Sequence, residues 1–518
     1  MVAIDKKYYL LPLLLLCAFF TIRAVDFAPH DFANYYFGGQ FMAAGQFGRW
    51  IYLPYEFNNA ITIEGYRGIF GSYAPNTPFL AMVFIPFSFF ELGAAKLIFN
   101  ILSILLFVFT LRRLVRQYAI DPRYLLLIPI VCFTPIKNSI LFGQVYFLLF
   151  FLIGESWLAY KKKRPVSAAV LLAAAICLKV FPLLLTLLFV FRKKYTLLAY
   201  LLASCIGFLL MSMFLSSAEV WWFVFQEVLP RASSGEISTG FVPNYQSVLM
   251  FLKQLLVFDA IENPLAAVDY PELLPPLLIA LKVALVTIGY DVSRKINLPL
   301  VVLSYWILVL LLMSPYGSTY SLVLLLIPFL ALAASHLKPW QKALGLGLIF
   351  MVSNIPMAWF AHLPYPFTYF RLLTMLLLLA LFMTLVYKRV KFGRVAVLTA
   401  VPMAVVWMFG LLYPEKTLQS RPLVMRSPIL IYDYAIQNGQ LTYRSWDTNG
   451  KTRYSMAIDA GKTEPLVLHE NTIFLDGKPL ATEHGNKKKP ILVDGRAIIY
   501  LSDHGRGIGF YTLRRIDL

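Results

Sequence analysis

Long apolar runs separated by short basic clusters dominate most of the chain. Residues 8–22 (YYLLPLLLLCAFFTI) and 298–313 (LPLVVLSYWILVLLLM) are typical of these runs. They reach or approach the ~20 residues that a helix needs to span a bilayer. Arg23 follows the first run where a signal peptide would carry a small-residue cleavage site, so we interpret that run as a membrane helix. The pattern predicts a mainly α-helical, multi-pass integral membrane protein.

The basic clusters predict how the chain is threaded through the membrane. Because cytoplasmic loops carry an excess of lysine and arginine, we place every cluster in the cytoplasm. Two crossings fit between consecutive clusters and a last run covers residues 395–412, which gives about 13 transmembrane helices, a cytoplasmic N-terminus and an extracytoplasmic C-terminal domain. The clusters are Lys6/Lys7, Arg112/Arg113/Arg116, Lys161 to Arg164, Arg192 to Lys194, Arg294/Lys295, Lys338/Lys342 and Lys388 to Arg394.

Two external segments and a change of pattern near the C-terminus divide the chain. Residues 23–90 and 215–273 are long enough to hold structure outside the membrane, and both are rich in aromatic residues. From about residue 413 onward apolar and polar residues alternate, and Asn-Gly and Asp-Gly pairs separate the alternating runs, as in β-hairpins. We therefore predict a transmembrane domain over residues 1–412 and a small, soluble, β-rich external domain over residues 413–518.

Composition supports a lipid environment and narrows the function. Of the 518 residues, 59% are hydrophobic and 14% are charged, against roughly 45–50% and about 25% in soluble globular proteins. The formal charge of +19 lies in short clusters rather than on a continuous polar surface, so we exclude nucleic acid as a partner. All four cysteines lie in apolar runs and the six histidines form no ligand-spaced cluster. We therefore predict neither a cofactor nor an obligatory metal ion.

Two carboxylates just beyond the first predicted helix are candidates for chemistry. The segment DFAPHDFANYYFGGQ places Asp26 and Asp31 near the membrane surface. A carboxylate there can act as a general base that takes the proton from an attacking hydroxyl, a role usually worth ~10²–10⁴ in rate. A solvated loop carboxylate is the alternative, and the residues alone leave both interpretations open.

Four short motifs follow one another in order along the polar breaks of the membrane region. They are D-F-x-x-Y-Y (Asp31, Tyr35, Tyr36), Y-x-P-x-x-P (Tyr73, Pro75, Pro78), G-Q-x-x-x-L-L (Gly143, Gln144) and K-x-x-P (Lys179, Pro182). In this order and spacing, across about residues 25 to 330, the chain resembles glycosyltransferase family 87. Each motif is short, so the resemblance depends on their collinear order.

Two later segments extend the resemblance. PNYQSVLMFLKQL, which contains Asn244, Gln246 and Lys253, is similar to the N-x-S-containing stretch of that family. SPYGSTYSLVLLLIPFL is similar to its late S-P segment, although Tyr320 stands where the family leads us to expect a histidine.

The resemblance implies a GT-C fold with an external active site in a bacterial inner or cell membrane. It implies transfer of a hexose or pentose, with mannose foremost, from a polyprenyl-phosphate donor to a glycan, lipid or protein acceptor. It places Asp31 at the catalytic aspartate position. Because a polyprenyl phosphate leaves as a stable anion, such a site needs a base near the anomeric carbon and cations near the phosphate.

The candidate phosphate-binding cations are Lys179, Lys137 and Arg231. We rank Lys179 first, because an ionisable group inside an apolar hairpin is a functional-site candidate. A lysine that snorkels to the membrane interface is the alternative. The candidates for substrate binding are Asp26, Tyr35, Tyr36, Tyr73, Asn138, Gln144, Asn244, Gln246 and Lys253. The amides among them can equally satisfy helix ends, and the tyrosines can equally pack the external segment.

Two other functions fit a multi-pass chain of this kind. The first is a transporter or a lipid-linked-sugar flippase, but such proteins commonly carry paired repeats with matching interrupted helices. The sequence has no second copy of the Asp31 segment or of the Lys179 hairpin. The second is a membrane-anchored binding protein, for which an anchor of about 13 helices is excessive. We therefore favour a membrane glycosyltransferase.

Overall fold

The protein is helical as far as residue 412 and β-rich from Arg421 onward. The computed structural model describes residues 9–236, 241, 245–259, 263–412, 420–424, 430–447, 450–459, 462–480 and 483–518. A mainly helical, membrane-type architecture with a β-rich C-terminal region is thereby confirmed.

The first part of the helical region consists of short helices around one long helix. Proline opens several of them, as at Pro54, Pro78 and Pro165, because its fixed φ suits the first helical turn and its missing N–H is not needed there. The helices are α1 (Leu11–Arg23), α2 (His30–Ala43), α3 (Pro54–Ile63), α4 (Pro78–Phe84), α5 (Leu92–Gln117), α6 (Ile128–Val131), α7 (Phe133–Leu141), α8 (Tyr146–Lys161), α9 (Pro165–Leu178) and α10 (Thr186–Phe191).

The second part contains most of the long helices. They are α11 (Tyr195–Ser216), α12 (Ala218–Phe223), α13 (Leu229–Ser233), α14 (Val248–Leu256), α15 (Leu274–Lys295), α16 (Pro299–Met313), α17 (Leu326–Ala334), α18 (Pro339–Asn354), α19 (Phe370–Thr384) and α20 (Phe392–Leu412). The middle of α16 is buried without interruption from Leu300 to Leu312. An apolar helix without a polar face belongs in a core or in lipid, so α16 forms the centre of the bundle.

Among the described residues, five helices are long and apolar enough to cross a membrane. They are Leu92–Gln117, Tyr195–Ser216, Pro271–Lys295, Phe367–Thr384 and Phe392–Phe409. The helices Pro122–Val131 and Phe133–Leu141 meet at a bend of 67° and make a sixth span if they are counted as one.

The prediction of about 13 spans is not confirmed. Several of the predicted crossings are apolar helices of only 10–17 residues, such as Pro165–Leu178 and Pro299–Met313. At ~1.5 Å per residue such helices are about 15–26 Å long, shorter than the ~30 Å hydrocarbon core. Residues 23–90 also differ from a plain loop, because they contain α2, α3 and α4.

A buried carboxylate joins two of the long helices. Asp291 of α15 is fully buried, and its Oδ1 accepts from Lys295 Nζ at 2.8 Å and from Arg394 Nη2 of α20 at 2.6 Å. Its Oδ2 accepts from the backbone N–H of Lys391 at 3.0 Å. The two predicted basic clusters around residues 294 and 391 are therefore held together at one end of the bundle.

The β-rich region consists of three antiparallel sheets. Their strand orders are β1-β11-β10-β9-β5, β2-β3-β4 and β6-β7-β8. The strands are β1 (Arg421–Pro422), β2 (Leu430–Gln437), β3 (Gln440–Asp447), β4 (Gly450–Ala457), β5 (Thr463–Pro465), β6 (Val467–His469), β7 (Thr472–Leu475), β8 (Lys478–Pro479), β9 (Lys487–Val493), β10 (Ala497–Ser502) and β11 (Thr512–Asp517).

The predicted hairpin turns at Asn438-Gly439 and Asp476-Gly477 are confirmed. The φ angles are 49° and 71° in the first pair and 50° and 73° in the second. Two consecutive residues with positive φ form the tight turn whose twist matches that of antiparallel strands.

The β-rich region packs directly against the helical region. Arg231 Nη1, on α13, lies 2.9 Å from Oδ1 of the fully buried Asp503, which follows β10. The rings of Tyr55 on α3 and Tyr432 on β2 stack with centroids 4.4 Å apart. Gly509 approaches Pro54 so closely that a Cβ would lie 3.0 Å from Pro54 Cδ.

Candidate active site

Asp31 lies in the first turn of α2 and contacts the polar break before α8. Its Oδ2 accepts a hydrogen bond of 2.5 Å from Gln144 Nε2. Gln144 Oε1 in turn accepts from the hydroxyl of Tyr35 at 2.7 Å. Gln144 is almost fully buried and Asp31 is half-buried. The predicted base is therefore fixed by a glutamine whose two amide atoms are both used.

A glycine allows this approach between the two segments. The backbone N–H of Phe32 donates to the carbonyl oxygen of Phe142 at 3.1 Å. Gly143 has φ of 63°, and a Cβ at this position would lie 2.7 Å from Phe32 Cβ. A side chain would be both conformationally strained and in steric conflict there. The Gly143-Gln144 pair of the motif thus brings the amide beside Asp31.

Tyrosines form the surroundings of the Asp31 carboxylate. Tyr146, Tyr245 and Tyr320 lie close enough to Asp31 to interact with its charge. The rings of Tyr146 and Tyr320 are 5.2 Å apart, centroid to centroid. Aromatic faces and phenolic hydroxyls suit a sugar, whose C–H groups and hydroxyls need apolar and polar partners respectively.

Lys179 faces the same group of side chains. It lies in the break after α9, where its Nζ donates to Asn76 Oδ1 at 2.6 Å and sits 5.5 Å from the centroid of the Tyr35 ring. Burial lowers the pKa of the Lys179 ammonium to about 8, and the negative charge of Asp31 opposes that shift. Asp31 and Lys179 are therefore within electrostatic reach of each other, and both are linked to Tyr35, Lys179 directly and Asp31 through Gln144.

Lys137 and Asn138 lie on α7, which packs against the segment around Tyr320. Asn138 Nδ2 donates to Thr319 Oγ1 at 2.7 Å. Within the described part of the chain, the half-buried Lys137 makes no hydrogen bond or ion pair. It is a second cation that can turn to an anion without first breaking an ion pair.

Arg231 does not share this position. Besides its ion pair with Asp503, it lies 3.5 Å from Glu227. A guanidinium that is already neutralised by two carboxylates is a poor ligand for a phosphate. The structure therefore favours a role for Arg231 in joining the helical region to the β-rich region over the predicted phosphate-binding role.

The other predicted residues are mostly used in packing the surrounding segments. Asp26 is exposed and has no hydrogen bond or ion pair with any described residue. The hydroxyls of Tyr36 and Tyr73 donate to the carbonyl oxygens of Phe90 and Thr77.

The late motif supplies further packing contacts. Gln246 Nε2 donates to the carbonyl oxygen of Thr368 at 3.2 Å, and Lys253 Nζ donates to that of Ser234 at 3.1 Å. Asn244 lies outside the described residues.

Lys96 is a residue beside the candidate site that the sequence did not single out. It lies on α5 and is 4% exposed, and its Nζ donates to the carbonyl oxygens of Phe27 and Ala28 at 3.0 and 3.3 Å. These carbonyls directly precede the helix that carries Asp31. The sequence did contain a signal for it, because Lys96 lies in the apolar part of a predicted span, where an ionisable group is costly and is a functional-site candidate.

We expect Lys96→Met to lower kcat with little change in KM for the donor. Methionine keeps the apolar stem but cannot donate to the two carbonyls, so the segment before Asp31 loses its anchor. A misplacement of about 1 Å can cost about 100-fold in rate. Steady-state kinetics on the purified protein would measure this, with Lys96→Arg as a partly active control. Equal losses in both variants would contradict the positioning role.

The described residues contain no group of three or more His, Cys, Asp or Glu side chains that could hold a metal ion.

Comparison with known proteins gives one match. The model of glycosyltransferase family 87 matches residues 75–315, a range that includes Lys137, Gln144 and Lys179. It begins after Asp31 and ends before Tyr320. No curated protein and no solved structure matches the chain.

Proposed function

From the match of residues 75–315 to the model of glycosyltransferase family 87, which indicates glycosyltransferase activity, we propose that this chain transfers a sugar from a polyprenyl-phosphate donor, with Asp31 as general base. The sugar is a hexose or a pentose, with mannose the first candidate. The acceptor is a hydroxyl of an extracytoplasmic glycan, lipid or protein. The family match supports sugar transfer over the transporter and binding-protein alternatives.

The observation that supports this proposal is the arrangement of Asp31, Tyr35 and Lys179. The half-buried Lys179 ammonium lies beside the Tyr35 ring, and Gln144 joins the Tyr35 hydroxyl to the Asp31 carboxylate. A bound sugar phosphate requires the same arrangement of charges, with a base near its anomeric carbon and a cation near its phosphate. Asn76 holds Lys179 through a neutral amide, so the ammonium keeps its full charge for an anion.

The proposed reaction is a direct displacement at the anomeric carbon. Asp31 takes the proton of the acceptor hydroxyl while that oxygen forms its bond to the anomeric carbon. The bond between the anomeric carbon and the phosphate oxygen breaks, and its electron pair leaves with the polyprenyl phosphate. Lys179 and Lys137 stabilise the charge that develops on the phosphate by charge-assisted hydrogen bonds.

A donor panel tests the donor class. Purified full-length protein would be incubated with polyprenyl-phosphate-linked sugars, and separately with the corresponding nucleotide sugars, in the presence of a membrane glycan and lipid extract. We expect release of polyprenyl phosphate and labelling of an extract component with the former donors alone. Transfer from the nucleotide sugars alone would reject the proposed donor.

A further inference from the structure

A large polar cleft lies between the helical region and the β-rich region. It has a volume of about 830 Å³, within the ~300–1,000 Å³ of small-molecule sites. One wall is formed by residues 226–236, and the other by the β6–β7 turn and by the segments that flank β9 and follow β10. The cleft is separate from the Asp31 and Lys179 contacts described above.

The charges in the cleft disfavour an anionic ligand. Glu227, Glu236 and Glu470 line it, whereas its cations are already engaged. Arg231 is paired with Asp503 and Glu227. Lys487 Nζ donates to the carbonyl oxygens of Glu483 and Gly485. An incoming phosphate or sulfate would meet the carboxylate of Glu470, which has no ion pair with a described residue, whereas Arg231 is already paired and Lys487 is buried.

The lining also disfavours a lipid tail or an apolar peptide. Pro230 and Leu480 are the apolar side chains among the residues that line the cleft. Gln226, Glu470 and Thr472 face it and form no hydrogen bond or ion pair through their side chains with other described residues. They supply donors and acceptors that are free to bind a ligand. Such groups match a molecule that carries many hydroxyls, each of which both donates and accepts.

The cleft adjoins the candidate active site. Arg231 and Glu236 of its wall also line a small cavity with Ala74 and Pro75, and the next residue, Asn76, binds Lys179.

A second connection runs through Ala232 of the same wall. Its carbonyl oxygen accepts from the Tyr316 hydroxyl at 2.7 Å, and the Tyr316 ring packs 5.8 Å from that of Tyr245. Tyr245 is one of the tyrosines near Asp31. A chain lying in the cleft would therefore have one end beside the walls of the Asp31 site.

We infer that this cleft binds an uncharged, hydroxyl-rich oligosaccharide. This inference rests on the proposed function, because it takes the oligosaccharide to be the part of the acceptor that lies away from the reacting hydroxyl. Sugar hydroxyls bind to Gln226 from the helical region and to Glu470 and Thr472 from the β6–β7 turn. Both regions are needed to form the site, which gives the C-terminal region a role in selecting the acceptor.

Binding of full-length protein to immobilised oligosaccharides tests this inference without requiring turnover. The probes are uncharged oligosaccharides and their sulfated counterparts, and the proteins are wild type, Asp31→Asn and the double variant Gln226→Ala/Glu470→Ala. We expect wild type and Asp31→Asn to bind uncharged probes in preference to sulfated ones. The double variant should bind them at least about tenfold more weakly, which corresponds to ~1.4 kcal/mol.

The matched control is Gln117→Ala/Glu464→Ala, which removes an exposed glutamine and an exposed glutamate outside the cleft. It should bind as wild type does. Preference for sulfated probes, absence of binding to every uncharged probe, or wild-type affinity in the cleft variant would each overturn the inference. If the uncharged oligosaccharides still bind but polyprenyl-phosphate sugars give no transfer, the proposed function is rejected and the inference about the cleft stands.

Discussion

Asp31→Asn should lower kcat for sugar transfer by about 10²–10⁴-fold, the usual contribution of a general base. Asparagine has nearly the same shape, and its amide oxygen can still accept the hydrogen bond that Gln144 donates to Asp31 Oδ2. The variant should therefore keep its fold and its affinity for the donor. What it loses is the ability to take the proton from the acceptor hydroxyl.

The measurement is initial-rate transfer by purified protein at saturating donor, together with donor binding to the inactive variant. Asp26→Asn is the matched control, because Asp26 lies in the same segment, is exposed and forms no hydrogen bond or ion pair with a described residue. It should retain near-normal turnover. Equal activity of Asp31→Asn and wild type would remove Asp31 from the chemistry, and a loss confined to Asp26→Asn would transfer the role to that residue.

The components of this site could be predicted from sequence because each is polar in an apolar context. Asp31, Gln144 and Lys179 each stand at a break between hydrophobic runs, where backbone and side chains have to be satisfied by protein or water. The structure brings all three around Tyr35. The contact between these three side chains depends on tertiary packing, which the pattern of hydrophobic residues alone does not reveal.

Other parts of the site were beyond what the sequence pattern can indicate. Arg231 was grouped with the phosphate-binding cations because it is basic and external. Its partner Asp503 follows β10, far along the chain from Arg231. A pairing between such distant segments leaves no periodic signal in the sequence. The prediction of about 13 spans is not confirmed for a related reason, because apolar character alone does not distinguish a short buried helix such as α16 from a long exposed one such as α20.

The β-rich character of the C-terminal region was easier to predict. Its strands alternate apolar and polar residues, and its turns carry Asn-Gly and Asp-Gly pairs whose positive φ angles the structure shows. Local chemistry determines such hairpins. The cleft between the two regions has no such local signature, because its walls come from segments far apart in the chain.

Lys179→Met should lower kcat/KM for the donor by about 10- to 150-fold, because a hydrogen bond to a charged group is worth about 1.5–3 kcal/mol. Methionine fills the same space in the break after α9 but cannot neutralise a phosphate. Lys282→Met is the control, since Lys282 is an exposed lysine on α15 without a partner among the described residues. A larger loss in Lys137→Met than in Lys179→Met would reverse the order of the two cations.

The pH dependence of kcat/KM separates a role of the Lys179 charge from a role in packing. Burial lowers the pKa of Lys179 to about 8, so in the free enzyme the ammonium is charged below this pH and becomes neutral as the pH rises through it. The value of kcat/KM should therefore fall above pH 8. Lys179→Arg should retain part of the activity and lose this alkaline decline, because a guanidinium stays protonated to about pH 12 or higher. A decline that persists unchanged in Lys179→Arg would assign the titration to another group, and a flat wild-type profile would show that transfer does not depend on the charge of Lys179.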